Sequence, residues 1–97
     1  MEVIENATQL KARLLDAAED LARPGWQRLN VEVVHAAAAG DLPSLIDAPA
    51  GTVLGVLVAP VDRARTTGLA PGAVLHMQLR LRAPGVHTLV TGTLQAE

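Results

Sequence analysis

The chain contains no cysteine, no phenylalanine and no tyrosine, and a single tryptophan is its whole aromatic complement. Without cysteine there are no disulfides, no thiolate zinc sites and no thiol nucleophile. Without rings there are no stacking platforms for single-stranded nucleic acid, no cages for quaternary cations and no aromatic belt at a membrane surface. Serine is almost missing too: Ser44 stands alone, outside any G-x-S-x-G context, which leaves Ser-His-Asp catalysis without a nucleophile. The glycines form neither a G-x-G-x-x-G fingerprint nor a P-loop. The longest apolar run, Val53 to Val61, is interrupted by Gly55 and Pro60 and falls far short of the ~20 residues of a membrane-spanning helix. Met1-Glu2-Val3-Ile4-Glu5 lacks a basic n-region and a long apolar stretch, so no secretory signal is expected. A cytoplasmic location, or a particle assembled there, is the corresponding expectation.

What the chain does have is aliphatic. Its 97 residues are 49% hydrophobic, nearly all Val, Leu, Ile and Ala, which places it among globular single domains rather than disordered chains. The formal net charge is −2, which disfavours non-specific binding to polyanions, and no nucleic-acid partner is expected. The charge is unevenly divided: residues 1–50 carry four basic and eight acidic groups, and residues 51–97 carry four basic and two acidic. Arginine outnumbers lysine seven to one.

Apolar residues at Val3, Ala7, Leu10, Leu14, Ala17 and Leu21 follow steps of 4, 3, 4, 3 and 4. That spacing predicts an amphipathic helix over residues 1–23, ended by Arg23-Pro24-Gly25, with an a/d seam able to pack on copies of itself. Residues 26–97 read as the β-rich remainder of a single domain. Leu29, Val31 and Val33 alternate with Arg28, Asn30 and Glu32, as in a half-buried strand. Asp41 to Gly51 reads as a loop whose Leu45-Ile46 dipeptide tucks against the core, and Val61 to Thr66 as one helical turn. Thr52 to Ala59 is apolar on both faces and rich in β-branched residues, which predicts a strand covered on both sides. Leu75, Met77, Leu79 and Leu81 alternate with His76, Gln78, Arg80 and Arg82; after a Pro84-Gly85 turn, residues 86–95 alternate again. A two-residue turn pairs 83 with 86, 79 with 90 and 75 with 94, which leaves Leu89 on the polar face. The expected fold is therefore α+β: an N-terminal helix and about four mostly antiparallel strands, either a small curled barrel or a sheet with the helix on one face.

Candidate chemistry is sparse. In that register His76 faces Thr93 and His87 faces Arg82, roughly 20 Å apart at ~3.3 Å per residue, so the two rings cannot share a metal. Neither these nor His35 has an orienting carboxylate in view, since no Asp or Glu lies between residues 63 and 96. Asp41 and Asp47 read as turn formers, and Trp26 as an apolar plug between helix and sheet. No catalytic set, metal site or cofactor is expected.

Two functions follow. One is a non-catalytic assembly subunit that forms a homo-oligomer or one copy in a larger viral or secretion-type particle, held by the helix seam and by apolar surface that one small domain cannot cover. The alternative is a small regulatory or binding module that holds an anionic ligand or partner tail on a strand face bearing His76, Arg80, Arg82 and His87. The second face of Val53 to Val58 separates them: cover by the helix within the chain favours the binding module, and cover by another copy favours assembly.

Overall fold

A computed structural model describes residues 5–97. In chain order its elements are β1 (Thr8–Glu19), β2 (Gln27–Ala38), β3 (Val53–Val58), a 3-10 turn (Pro60–Asp62), a one-turn helix α1 (Arg63–Thr66), β4 (Val74–Ala83), β5 (Val86–Leu89) and β6 (Gln95–Ala96). The strands lie in the order β1-β2-β3-β5-β4-β6, and β4 also pairs with β1. That second pairing closes the sheet into a five-stranded barrel, with β6 as a short continuation beside β4. Every pairing is antiparallel except β3 with β5, where Val56 meets His87 and Leu57 meets Thr88. Barrel architecture alone assigns no function.

The N-terminal helix expected over residues 1–23 is not formed, and the α+β class with it is corrected to a barrel of strands: residues 8–19 are β1. The seam was read from steps of three and four, but the same stretch also alternates. Leu10, Ala12 and Leu14 point into the barrel and are fully buried, whereas Lys11 and Arg13 point out. Leu10 and Leu14 satisfy both periods, and Ala12 decides between them. Helix-forming residue types here are overridden by pairing on two sides, with β2 through eleven residues and with β4 from Thr8 to Arg13. Ala17 and Leu21, which the seam would bury, are exposed; Leu21 is 99% exposed at the β1–β2 turn. Val3 lies outside the described residues.

The core is a single cluster inside the barrel: Leu10, Ala12 and Leu14 from β1, Leu29, Val31 and Val33 from β2, Leu54, Val56 and Val58 from β3, Leu75, Met77 and Leu79 from β4, and Leu89 from β5. Alternation drives each strand's inner set to the interior, where aliphatic side chains of this size fill a small barrel. Ile46 and Ala48 from the long β2–β3 link, and Leu94 ahead of β6, join the cluster, while Leu45 stays outside. The chain is compact by itself, with a radius of gyration of 12.4 Å, against about 13 Å for a folded domain of ~100 residues.

The second face of β3 is covered from within the chain. Leu57 points away from the interior cluster, opposite Arg28 and Thr88, and is nevertheless only 3% exposed. Beside it, Gly55 lets the Arg28 guanidinium lie on the strand; a Cβ there would stand 2.7 Å from Arg28 Nη1. Only Val53, 57% exposed, remains open on that face.

The β4–β5 hairpin departs from simple alternation. Ala83 pairs with Val86 as the Pro84-Gly85 turn predicts, but a bulge between Leu81 and Ala83 then shifts the ladder, so Leu81 meets His87 and Leu79 meets Leu89. One extra residue on β4 reverses the facing of β5. Leu89 thereby turns inward and is buried, which removes its anomaly on the polar face. A second turn, closed by Thr93 N–H to the Val90 carbonyl at 3.2 Å with Gly92 at φ 81°, separates β5 from β6. Leu75 consequently meets Ala96 rather than residue 94.

Candidate functional site

The outer wall of the barrel carries nearly all of its charge, and most of that charge is paired. On β1 and β2, Arg13 reaches Glu32 at 3.4 Å, and Asn30 donates to Asp16 at 2.6 Å. At the β1–β2 turn Asp20 holds Arg23 at 3.2 Å and Arg28 at 3.9 Å. Arg63 of α1 forms an ion pair with Glu19, and Arg65 lies 3.5 Å from Asp62. Five of the seven arginines therefore face a carboxylate, and among the described residues Arg80 and Arg82 do not.

These two sit on the outer face of β4, where Leu75, Met77 and Leu79 take the inner face and leave His76, Gln78, Arg80 and Arg82 outward. Arg80 is paired with Thr88 of β5. Arg82 is the extra residue of the bulge, and its Nε–H donates to Thr88 Oγ1 at 3.2 Å. A bulge re-aims the side chain it carries, and here it turns Arg82 toward the threonine that Arg80 opposes. Arg80 Nε is buried without a hydrogen-bond partner. Arg82 and the Thr88 hydroxyl thus meet on the β4–β5 wall, with Arg80 at the neighbouring outward position opposite Thr88. The outward row then continues across the sheet through Thr88, Leu57 and Arg28.

The other expected members of this face go elsewhere. His76 is outward but occupied: its Nε2 lies 2.8 Å from Glu97 Oε2, which is also 3.5 Å from Lys11 Nζ. The His76 hydrogen bond first, and the Lys11 charge second, hold the exposed Glu97 carboxyl below its ordinary value of 4.5. His76 is six residues from Arg82, about 20 Å along the strand. His87 falls opposite Leu81, not Arg82, because of the bulge, and its Nδ1 is buried without a partner. His35 opposes Lys11 on the far side of β1. No group of three or more His, Asp or Glu side chains among the described residues stands close enough to hold a metal ion.

Of the helix-seam residues, Ala7, Leu10 and Leu14 are buried in the chain, while Ala17 and Leu21 are exposed without a shared helical face. Trp26 is half-buried in the β1–β2 turn, where its carbonyl accepts the Asp20 amide at 3.0 Å; there is no helix for it to plug against. Ser44 shares a 2.7 Å hydrogen bond with Thr8, and Asp41 and Asp47 are exposed in the β2–β3 link.

Two polar residues that sequence reasoning did not single out matter here. Thr88 joins the arginines only through the bulge, which leaves no local signal. Asp62, 2% exposed at one end of the barrel, accepts the Gly92 amide at 3.0 Å through Oδ1 and leaves Oδ2 buried without a partner. It ties the 3-10 turn to the β5–β6 turn near the short parallel seam between β3 and β5.

No family model, no curated protein and no solved structure matches this chain.

Proposed function

We propose that the chain is a small non-catalytic binding module that holds an anionic group of a partner against the outer wall of β4 and β5. The observation that carries this reading is that, among the described residues, Arg80 and Arg82 have no carboxylate partner while the other five arginines all have one. A guanidinium fork matches the oxygens of a carboxylate or phosphate in a bidentate way. Two such forks on adjacent outward positions of one strand, about 7 Å apart, fit an anion better than they fit each other. The assembly alternative has less behind it, because its helix seam is not formed and β3 is covered on both faces by its own chain apart from Val53.

The test is a titration of the full chain with a short glutamate-rich peptide and its glutamine analogue, followed by NMR chemical shifts at low and high salt. Resonances of Arg80, Arg82 and Thr88 should move with the acidic peptide only, and less at high salt. The Arg80→Ala, Arg82→Ala double variant should lose at least tenfold in affinity, while Arg13→Ala, at an arginine already paired, should lose little. A double variant that binds as well as the parent would dispose of the proposal.

A further inference from the structure

We infer that the Arg80–Thr88–Arg82 patch is a phosphate-monoester subsite and that its ligand is a phosphorylated peptide segment. The inference rests on the anion-binding reading above and narrows it by counting donors. A carboxylate offers one charge and two oxygens with about four lone-pair sites, enough for the two arginines that Asp20 serves. This patch sets two arginines at neighbouring outward positions beside Thr88, whose hydroxyl oxygen already accepts Arg82 Nε–H, so its own proton is left to donate outward. Two forks and a hydroxyl exceed what a carboxylate can accept. A phosphate monoester has three terminal oxygens and about −1.5 to −2 charge at pH 7, and can take a fork from each arginine and the threonine proton together.

The hydrogen bond from Arg82 also restrains that side chain before any ligand arrives, which lowers the ordering cost of binding. The pairing of Arg80 with Thr88 fixes the third donor at the spacing of directly opposed strand residues, about 5 Å between Cβ atoms.

The source of the phosphate follows from the shape of the wall. A small phosphorylated metabolite binds tightly when a cleft buries most of its surface, and these donors lie on the convex outside of a closed barrel. An extended peptide gains from length instead, by laying successive side chains across the outer wall from β4 towards β2. Across that face, past Thr88 and the well-covered Leu57, Arg28 lies flat over Gly55 and adds a third guanidinium three strands away. Its carboxylate contact, to Asp20, is the longest of the arginine ion pairs at 3.9 Å. Arg28 is placed to meet an acidic residue farther along the same peptide.

The experiment titrates the full chain at fixed salt and pH 7.5 with three probes: a phosphoserine peptide, the same peptide with glutamate at that position, and inorganic phosphate. The phosphopeptide should bind at least tenfold tighter than either of the others. Thr88→Val should reduce that preference several-fold and Thr88→Ser should restore it, with far-UV circular dichroism unchanged in both. Equal binding of the glutamate peptide would overturn the phosphate assignment and leave the anionic-partner reading standing. Inorganic phosphate binding as tightly as the phosphopeptide would overturn the peptide assignment. If none of the three binds, both the subsite and the reading beneath it fall.

Discussion

Replacing single residues of β1 separates a barrel strand from an amphipathic helix, because the two arrangements bury different members of the same aliphatic set. In the barrel Leu14 is 1% exposed and in contact with the one core cluster, whereas Leu21 projects into solvent at the β1–β2 turn. Leu14→Ala removes a fully buried side chain from a closed interior and should cost about 2–5 kcal/mol in transfer and cavity terms. Leu21→Ala touches nothing and should stay within about 0.5 kcal/mol of the parent. Ala12, fully buried between β2 and β4, gives the opposite perturbation: Ala12→Leu forces extra methylenes into a filled site at a cost of about 1–3 kcal/mol. For a domain of this size each kcal/mol is about 4–8 °C in Tm, so Leu14→Ala should melt roughly 10 °C or more below the parent, and Leu21→Ala should melt with it. Urea unfolding followed through Trp26, the sole tryptophan, measures all three variants with one probe. The helical seam equates Leu14 with Leu21 and leaves position 12 outside the seam. Equal costs at 14 and 21, or a neutral Ala12→Leu, would refute the strand assignment.

Two further outcomes concern the barrel's ends. Asp62→Ala deprives the Gly92 amide of its acceptor and should cost about 0.5–1.5 kcal/mol, with faster hydrogen exchange at Gly92; Asp62→Asn keeps an acceptor oxygen and should keep the protection, and loss of protection in both would count against the tie between the two turns. Glu97 has a folded pKa below its unfolded value of 4.5, so its contribution to stability is present above that value and is lost as pH falls through the folded pKa. The stability difference between the parent and Glu97→Gln should therefore shrink as pH drops below 4.5 and vanish in strong acid. A difference unchanged from pH 7 to strong acid, in urea unfolding at a series of pH values, would contradict the His76–Glu97–Lys11 cluster.

Strong alternation was legible where it was unambiguous. Residues 27–33 and 75–81 are strands with the expected inner faces, 53–58 is a strand as its β-branched residues indicate, and the 60–66 segment turns helically. β1 was not legible, because Leu10 and Leu14 are four apart and fit a period of two as well as one of 3.6, and because Ala, Leu, Lys, Arg and Glu around them favour a helix locally. What decides is the demand of β2 and β4 for a partner on each open edge, which no window within residues 8–19 contains. The arginine face was legible as far as alternation reaches, at Arg80 and Arg82. Its hairpin neighbour was not: the bulge beside Arg82 exchanges His87 for Thr88 as the outward partner, and a one-residue register change has no signature in the residues themselves.

The unequal division of charge between the halves of the chain acquires a structural meaning through the ion pairs. The basic C-terminal half has two carboxylates of its own, and each is already engaged: Asp62 beside Arg65, and Glu97 beside Lys11 and His76. Arg63 crosses to the acidic half and takes Glu19. In that half Glu32 faces Arg13, and Asp20 serves both Arg23 and Arg28. Asp41 and Asp47 lie in the β2–β3 link without an ion pair to any described residue, and Asp16 is hydrogen-bonded to Asn30. Among the described residues, carboxylates therefore remain without cationic partners, yet none is brought to Arg80 or Arg82. Two guanidinia on one strand repel each other by an amount comparable to what an exposed pair with a carboxylate would gain, a fraction of a kcal/mol. Acidic groups that the described residues have to spare, kept off this wall, support the proposed binding of an anion from outside.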